Sequence, residues 1–349
     1  MKILYLYAEV MGYTMATIRE LAQRGNEVHV VHWDHIKLTS YQASAMPNVV
    51  MYKRSELSVE QLLKLSNNIA PSLTVVSGWM DRGYMLVSKH LKSRGVPVVV
   101  CLDGQWKGTT KQRIAALLGV TGYFSQYYSH AWVAGICQFE YARRLGFEKK
   151  KIIYDLLCAD LSLFNQAYKD SIENKLIQYP HRLLFVGRFE PIKGLDVLLD
   201  AWQQLGTKKN DWELHLIGNG SLRVFLEEIH GVVVKDFMQP GQLLQEVSNA
   251  GCLLLPSIGE PWGVVIHEFA AAGLPLIASD VVGAASTFLI SGLNGYSFKA
   301  NDPIALANRM YQIIRKSDQE LHAMAVGSHE LTQRITPQTS ASKLLSVTI

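Results

Sequence analysis

Two glutamates in one short segment mark the clearest chemistry in this sequence. Glu260 comes just before Pro261, a residue suited to a turn or to the first position of a helix, and Glu268 lies in the mostly apolar helical pattern that follows Gly263. A helix start with bare backbone attracts phosphates and polar hydroxyls, because its N–H groups and its dipole point the same way. A carboxylate among apolar residues is costly without a partner, so we expect Glu268 to bind something.

Two cations follow a buried strand predicted at residues 182–186. Arg188 and Lys193 flank a proline turn and come before a helical pattern. Ligands of open α/β sheets bind beyond the carboxyl ends of the strands, so these cations and the helix start at Gly263 could together cradle a diphosphate. Taken alone, two such charges are more often solvated surface groups. Their position at a strand end favours the ligand site.

Three further strand ends carry residues with two open interpretations each. The turn at Asn219, after a strand predicted at 212–217, could approach a phosphate or be an ordinary tight turn. Phe237 could line a nucleobase pocket or lie in a plain loop. Asp103, after a strand predicted at 96–102, could act in an active site or cap a helix.

Bulk composition bounds the possible functions. The 349 residues suggest about two domains, and a hydrophobic content of 48% provides for a large core. A net charge of +4 is too small to argue for nucleic acid as a partner. The four cysteines (Cys101, Cys137, Cys158 and Cys252) show no metal-ligand spacing and are expected to be buried, reduced thiols of a cytosolic chain. No apolar stretch reaches the ~20 residues that span a bilayer.

The order of elements predicts an α/β fold. Short apolar runs alternate with amphipathic segments in two βαβ series, which is typical of doubly wound parallel sheets. A polar stretch at about 155–180 interrupts the alternation and is interpreted as the interdomain crossing. The sequence therefore predicts two Rossmann-like lobes with a cleft between them, residues 1–165 and 166–334.

A small basic patch lies in the first series. Lys107, Lys111 and Arg113 stand beside Leu117 and Leu118 in an amphipathic pattern. A solvated face is the default interpretation of such a pattern. The more specific interpretation is a helix surface that contacts a membrane. The chain would then be a peripheral protein on the inner face of the membrane.

The motifs of the second series resemble a known family, the retaining nucleotide-sugar glycosyltransferases of the GT-B fold, glycosyltransferase family 4. Its Glu-x7-Glu pattern stands here as Glu260 to Glu268, and its G-R-x4-K-G donor loop as Gly187-Arg188 to Lys193-Gly194. LIGNG, QPGQLLQEVSNAGCLLLPS, Gly292-Leu-Asn-Gly295 and Cys158-Ala-Asp160-Leu-Ser-Leu-Phe164 also fit. The family implies that a C-terminal helix, residues 335–349, crosses back to the first lobe.

The resemblance also implies roles for individual residues. Arg188 and Lys193 would bind the donor diphosphate and stabilise the leaving nucleotide. Glu268 would hold the ribose hydroxyls, and Glu260 would contact the transferred sugar. Asp103 lies at a strand end where the family often has a histidine, which makes it a catalytic candidate. The other donor-binding residues that it implies are Gly12, Gly187, Asn219, Phe237 and the backbone at Trp262, Gly263, Val264 and Val265.

The motifs and the family resemblance together predict a function, with two alternatives. The chain is expected to move a hexose from a nucleoside-diphosphate sugar, UDP rather than GDP, to a glycan or lipid-linked acceptor in bacterial surface polysaccharide or lipopolysaccharide synthesis. The sequence has no Asp-x-Asp, so protein cations and helix N–H groups would replace a metal, and no cofactor is expected. The alternatives are a nucleotide-sugar epimerase of the same architecture and a non-catalytic partner that binds nucleotide sugar.

Overall fold

The computed structural model describes residues 1–34 and 44–348, and it divides into two compact units. The first unit comprises Met1–Cys158 and Pro337–Ile349, and the second comprises Ala159–Thr336. The sequence predicts the divisions a few residues away, after 165 and 334.

The first unit is built on a parallel sheet of seven strands in the order β3-β2-β1-β4-β5-β6-β7. Its strands are β1 Lys2–Tyr7, β2 Glu27–His32, β3 Val49–Lys53, β4 Leu73–Val76, β5 Val98–Leu102, β6 His130–Val133 and β7 Ile152–Ile153. The first five helices are α1 Gly12–Gln23, α2 Val59–Ile69, α3 Arg82–Ser93, α4 Thr110–Val120 and α5 Ile136–Arg144. The central strands β1, β4 and β5 are apolar and almost fully buried, as expected for a sheet that is covered on both faces.

The second unit has a parallel sheet of six strands in the order β10-β9-β8-β11-β12-β13. Its strands are β8 Arg182–Val186, β9 Glu213–Ile217, β10 Val232–Lys235, β11 Cys252–Leu255, β12 Leu276–Ser279 and β13 Gly295–Phe298. Its helices are α6 Leu161–Ile177, α7 Leu195–Leu205, α8 Arg223–Glu227, α9 Pro240–Ser248, α10 Val264–Ala271, α11 Ala285–Phe288, α12 Pro303–Ile314 and α13 Asp318–Thr332. Because all pairings are parallel, the carboxyl ends of β8, β9, β10 and β11 meet at one edge of the sheet.

The polar stretch at 155–180 contains the division between the two units, after Cys158, and most of the stretch is helical. It contains the 17-residue helix α6, which buries Leu161, Phe164, Ala167, Ser171 and Lys175. These positions recur every three or four residues, so they form one helical face. The many polar residues of the stretch occupy the other faces of the same helix.

The last helix, α14 Pro337–Leu345, belongs to the first unit, as the resemblance implies. It packs against α1. Ser340 lies at this contact, where its hydroxyl donates to the carbonyl of Asp155 at 2.8 Å and lies 3.4 Å from the hydroxyl of Thr17. Its neighbour Lys343 pairs with the Asp155 carboxylate. The chain end is therefore tied to the first unit by packing, hydrogen bonds and an ion pair.

Two predictions from composition can be compared with the structure. All four cysteines are free thiols; Cys101, Cys158 and Cys252 are buried, but Cys137 is only half-buried, contrary to the prediction. Across residues 1–34 and 44–348, none of the helices combines the length and the apolar character needed to cross a bilayer.

Candidate functional site

The donor loop, defined here as residues 187–194, leaves the carboxyl end of β8 and leads into α7. A short 3-10 turn, Pro191–Lys193, ends at Gly194, whose φ of 66° is left-handed. The amide of Ile258 donates to the carbonyl of Ile192 at 3.0 Å, so the loop is bonded to the segment that follows β11. A Cβ on Gly194 would lie 2.3 Å from the carbonyl oxygen of Pro256. Glycine is therefore required by both the backbone angle and the close approach.

We expect Gly194→Ala to destabilise the second unit by roughly 2–4 kcal/mol and to weaken nucleotide binding, because the loop that carries Lys193 must move away from Pro256. Urea unfolding and UDP calorimetry measure the two effects. Gly206→Ala is the matched control: Gly206 also has a left-handed φ of 51°, but no atom lies within 4 Å of the added Cβ. Equal losses in the two variants would contradict the importance of the close approach.

Lys193 and Glu260 form an ion pair in the second unit. The ammonium of Lys193 contacts one carboxylate oxygen of Glu260, and both side chains are largely buried, with exposures of 15% and 12%. The hydroxyl of Ser257 donates to the same oxygen at 3.3 Å. The backbone of Glu260 is fixed as well, since its carbonyl accepts from the amide of Gly283 at 3.3 Å. The structure thus brings together two of the predicted site residues and holds both in place.

Arg188, in contrast, is exposed at the start of the donor loop. Its neighbour Phe189 is fully buried and donates its amide to the carbonyl of Asn219 at 2.8 Å. Glu190 accepts from the hydroxyl of Ser221 at 2.8 Å and from its amide at 3.2 Å, and these bonds lower the pKa of the Glu190 carboxyl. The donor loop and the turn after β9 are therefore one bonded structure, as their positions on adjacent strands predict.

Glu190 has a positioning role that the sequence interpretation missed. The signal was present, because Glu190 sits between the two cations in a loop at a strand end. Only the structure shows that its carboxylate is hydrogen-bonded to Ser221, with the charge of Arg188 lowering its pKa further.

The helix start that the sequence predicts around Gly263 lies at Val264 in the structure. Gly263 is the N-cap, with a left-handed φ of 85°, and α10 begins at Val264. Val264 and Val265 are half-buried in the first turn, where backbone N–H groups have no partner within the helix. Trp262 is buried, with its ring edge-on to Phe288. The predicted N–H groups of Trp262 and Gly263 therefore lie before the helix, and those of Val264 and Val265 lie in its first turn.

Glu268 lies half-buried on α10. Desolvation, and then the nearby charge of Asp160, raise the pKa of its carboxyl to about 7. Its neighbour His267 is fully buried; its Nδ1 accepts from the amide of Ala159 at 3.2 Å, and its ring stacks on Phe288 with centroids 4.1 Å apart. Burial lowers the pKa of His267 to about 3, so this ring is neutral and structural.

Phe237 is exposed just beyond the carboxyl end of β10. Its neighbour Asp236 pairs with Arg223 at 2.7 Å, and Arg223 also donates to the carbonyl of Gly218 at 3.1 Å. The loops after β9 and β10 are thereby joined. Phe237 and Asn219 follow adjacent strands at the edge where the donor loop lies.

Asp103 and Gly12 belong to the first unit. Asp103 follows β5, and its side chain is exposed. It does not cap α4, because the N-cap of that helix is Thr109, whose hydroxyl accepts from the amide of Gln112. Gly12 is the first residue of α1 and follows the N-cap residue Met11.

No three His, Cys, Asp or Glu side chains converge as a metal site within the ranges that the structure describes. The donor loop contributes two cations, Arg188 and Lys193, to the carboxyl edge of the second sheet, where Arg223 and Lys235 also lie. The arrangement can neutralise an anion with Arg188 and Lys193 and can accept hydroxyl protons at Glu260 and Glu268.

A family model described as Glycosyl transferases group 1 matches residues 180–316. This range contains the donor loop, Glu260 and Glu268, so the match covers most of the second unit. An uncharacterised glycosyltransferase of Methanocaldococcus jannaschii is 33% identical over 39% of this chain and 38% of its own length. Phosphatidyl-myo-inositol mannosyltransferase of Mycobacterium leprae is 30% identical over 50% of this chain and 48% of its own. The chain thus spans less than half the length of these relatives.

Solved structures match the whole chain. HepE of Anabaena, in complex with UDP and glucose, superposes with a TM-score of 0.73 over 99% of each chain, at 16% sequence identity. Together with the two parallel sheets, this likeness shows that the chain has the GT-B fold that the sequence predicts.

Proposed function

We propose that the chain is a retaining glycosyltransferase that moves a hexose from a nucleoside-diphosphate sugar to a glycan or lipid-linked acceptor. One observation carries the proposal. The Lys193–Glu260 pair joins the donor loop to the segment before α10, at the strand edge where an open α/β sheet binds its ligand. A cation for the leaving diphosphate and a carboxylate for the sugar are therefore adjacent.

In the proposed reaction the bond between the anomeric carbon and the phosphate oxygen breaks. A bond from the acceptor oxygen forms on the same face, and the acceptor proton passes to the departing phosphate. Arg188 and Lys193 stabilise the negative charge that develops on the diphosphate, and the first N–H groups of α10 add to this. Glu260 orients the sugar hydroxyls and Glu268 the ribose. Asp103 is a candidate for orienting the acceptor in the first unit.

UDP is the preferred nucleotide in this proposal, because HepE was crystallised with UDP and with UDP-glucose. A lipid-linked acceptor has support from the relative named phosphatidyl-myo-inositol mannosyltransferase. A role in bacterial surface polysaccharide or lipopolysaccharide synthesis remains part of the proposal.

A thermal-stability screen of UDP- and GDP-sugars tests the donor. Bound ligand raises apparent stability by RT ln(1 + [L]/Kd), so UDP-sugars should raise the Tm most. Epimerised sugar formed from UDP-sugar without acceptor would favour the epimerase instead. Transfer at an unchanged rate by Glu260→Gln would refute the role of Glu260, and loss of transfer in that variant argues against a non-catalytic binding partner.

We expect the affinity for UDP-glucose to rise about tenfold between about pH 6 and pH 8, because ribose hydroxyls donate to the ionised form of Glu268, whose pKa is raised to about 7. Binding would then release a proton. Calorimetry in buffers of different ionisation enthalpy measures both quantities. Glu268→Gln should abolish the pH dependence, and affinity that falls as the pH rises would contradict the assignment.

We propose that transfer needs no metal, since the two cations of the donor loop supply the charge on the diphosphate. Activity should therefore persist in excess chelator. Loss of activity in chelator, with recovery on addition of manganese, would overturn this part of the proposal.

Peripheral contact with an anionic membrane is a further part of the proposed function. On α4 the side chains of Ile114, Leu117 and Val120 are exposed, and Lys107, Lys111 and Arg113 lie on or just before the helix. Residues 104–139 contain no Asp or Glu. Apolar side chains flanked by cations suit an interface with anionic lipid.

Vesicle sedimentation tests this contact. Binding should require phosphatidylglycerol in phosphatidylcholine vesicles, and glutamine at Lys107, Lys111 and Arg113 together should abolish it. Glutamine at the exposed Lys149 and Lys150 is the control. Equal binding to neutral vesicles would refute the electrostatic contribution.

A further inference from the structure

A cavity of about 600 Å³ lies in the second unit, away from the donor loop. Its lining comes from the C-terminal half of α6, the segment before β8, the starts of β8 and β9, and the residues after α9. The cavity thus opens at the amino ends of the strands. The donor loop follows their carboxyl ends, so the two places are separated by the length of β8, roughly 17 Å at ~3.3 Å per residue.

Lys175 on the wall of this cavity is the feature that calls for a ligand. The residue is only 2% exposed, and its Nζ has no hydrogen-bond partner in the described part of the chain. Its Nζ lies 5.9 Å from the centroid of the Tyr179 ring, a cation–π contact. Buried polar groups are nearly always hydrogen-bonded, because leaving a donor unsatisfied costs most of its desolvation free energy.

Arg182, at the start of β8, provides a second unfilled donor on the same wall. Its Nε is buried and makes no hydrogen bond to any described residue. The carboxylates nearest to its guanidinium, those of Glu213 and Glu246, are 3.7 Å and 3.6 Å away, beyond hydrogen-bond distance. Within the described residues, two residues of the cavity wall therefore each carry a buried donor without a hydrogen-bond partner, and the Arg182 guanidinium is also ion-paired with Glu213 and Glu246.

The other lining residues decide what kind of acceptor fits. Asp170, Asp211, Glu213 and Asp318 also line the cavity, so a phosphate or another multivalent anion would meet four carboxylates. A metal cation would be repelled by the positive charges of Lys175 and Arg182. The amides of Asn174, Gln178 and Asn249 complete the lining with groups that both donate and accept.

We propose that this cavity is a second, non-catalytic binding site for a neutral oligosaccharide. Each sugar hydroxyl both donates and accepts, so it can use the carboxylates and the amides as well as the donors of Lys175 and Arg182. A volume of about 600 Å³ is within the range of small-ligand sites. The site goes beyond the proposed transfer reaction, because it holds a glycan at the opposite edge of the sheet from the donor loop.

An array of immobilised neutral hexose, deoxyhexose and N-acetylhexosamine oligosaccharides tests the proposal on the full-length protein. Asn174→Trp fills the cavity from an exposed position of α6 and should lower the affinity for the bound glycans by at least about tenfold. Leu176→Trp is the matched control, because Leu176 is exposed on the same helix but does not line the cavity. Lys175→Met should also weaken binding by about tenfold.

UDP calorimetry on the same preparations separates this site from the donor site. Lost glycan binding with unchanged UDP affinity in Asn174→Trp supports the proposal. It is overturned if the wild-type protein binds none of the glycans, or if Asn174→Trp binds them as tightly as Leu176→Trp does. Failure of either kind with normal UDP binding leaves the proposed transfer function intact.

Discussion

Replacing Arg188 and Lys193 together by alanine should lower the affinity for UDP by at least about a hundredfold. Hydrogen bonds to charged groups contribute about 1.5–3 kcal/mol each, and about 1.4 kcal/mol corresponds to a factor of ten in Kd. The effect is larger than for two surface charges, because Lys193 is mostly buried. Its removal also leaves the largely buried Glu260 carboxylate without that ammonium, close to where the diphosphate would bind.

Calorimetry with UDP measures this loss, and two controls define its origin. Lys169→Ala with Lys208→Ala removes the same charge from exposed positions of the second unit and should change the UDP affinity by less than about threefold. Adding Glu260→Ala to Lys193→Ala should restore part of the affinity, because it removes a negative charge close to where the diphosphate would bind. Unchanged UDP binding in the Arg188 and Lys193 variant would refute the diphosphate role of the donor loop.

Glu260 and Glu268 differ in their electrostatic setting. Glu260 has an ammonium and a hydroxyl at its carboxylate, so its charge is stabilised before any ligand arrives. Desolvation and the charge of Asp160 raise the pKa of Glu268 instead. One carboxylate therefore has an ion-pair partner within the protein, and the pKa of the other lies near neutral pH. The spacing Glu-x7-Glu cannot reveal this difference, because it depends on Lys193 and on Asp160, which are distant in sequence.

Much of the fold could be predicted from the sequence because central parallel strands are continuous apolar runs. The runs Ile3 to Tyr7 and Leu183 to Val186 are of this kind, so they predict buried strands. The edge strand β3 was missed because most of its side chains are exposed or half-buried, so its pattern is weak. The helix α2 was missed although Ser58 and Gln61 form a capping box, a signal that can be found in a sequence.

The candidate site was predicted in part for the same reason. Residues at strand ends can be named once the strands are known, and this placed Arg188, Lys193 and Asn219 at one edge. Side-chain partners could not be predicted in this way. That Glu190 binds Ser221 and that Lys193 binds Glu260 depends on how the loops fold back, which no local pattern contains. The cavity at the other edge was missed entirely, because it is formed by segments that are far apart in sequence.

Replacing Lys175 with methionine should make the protein more stable by about 3 kcal/mol at neutral pH. Burial lowers the pKa of Lys175 from 10.5 to about 7, and this corresponds to as much as about 5 kcal/mol against the charged form in the folded protein. The unfolded chain keeps the ammonium in water. Methionine fills a similar volume without a charge, and the main loss is the cation–π contact with Tyr179.

The pH dependence of the free energy of unfolding identifies the cause of this gain in stability. The folded pKa lies below the unfolded one, so the unfolded chain binds more protons between about pH 7 and pH 10.5, and wild-type stability should rise with pH across that interval. The difference between Lys175→Met and wild type should thus be largest at and below about pH 7 and should decrease steadily up to about pH 10.5. Urea unfolding measures it, and the exposed Lys169→Met on the same helix should show no such trend.

A glycan in the cavity should change this comparison. An acceptor that reaches Lys175 favours the ammonium, so saturating glycan should stabilise the wild-type protein more than Lys175→Met and narrow the difference between them. The free protein bears the cost of a buried lysine, and a ligand would offset it. A variant that is less stable than wild type at every pH would instead mean that Lys175 is satisfied within the folded protein, and both the stability argument and the ligand argument would fail together.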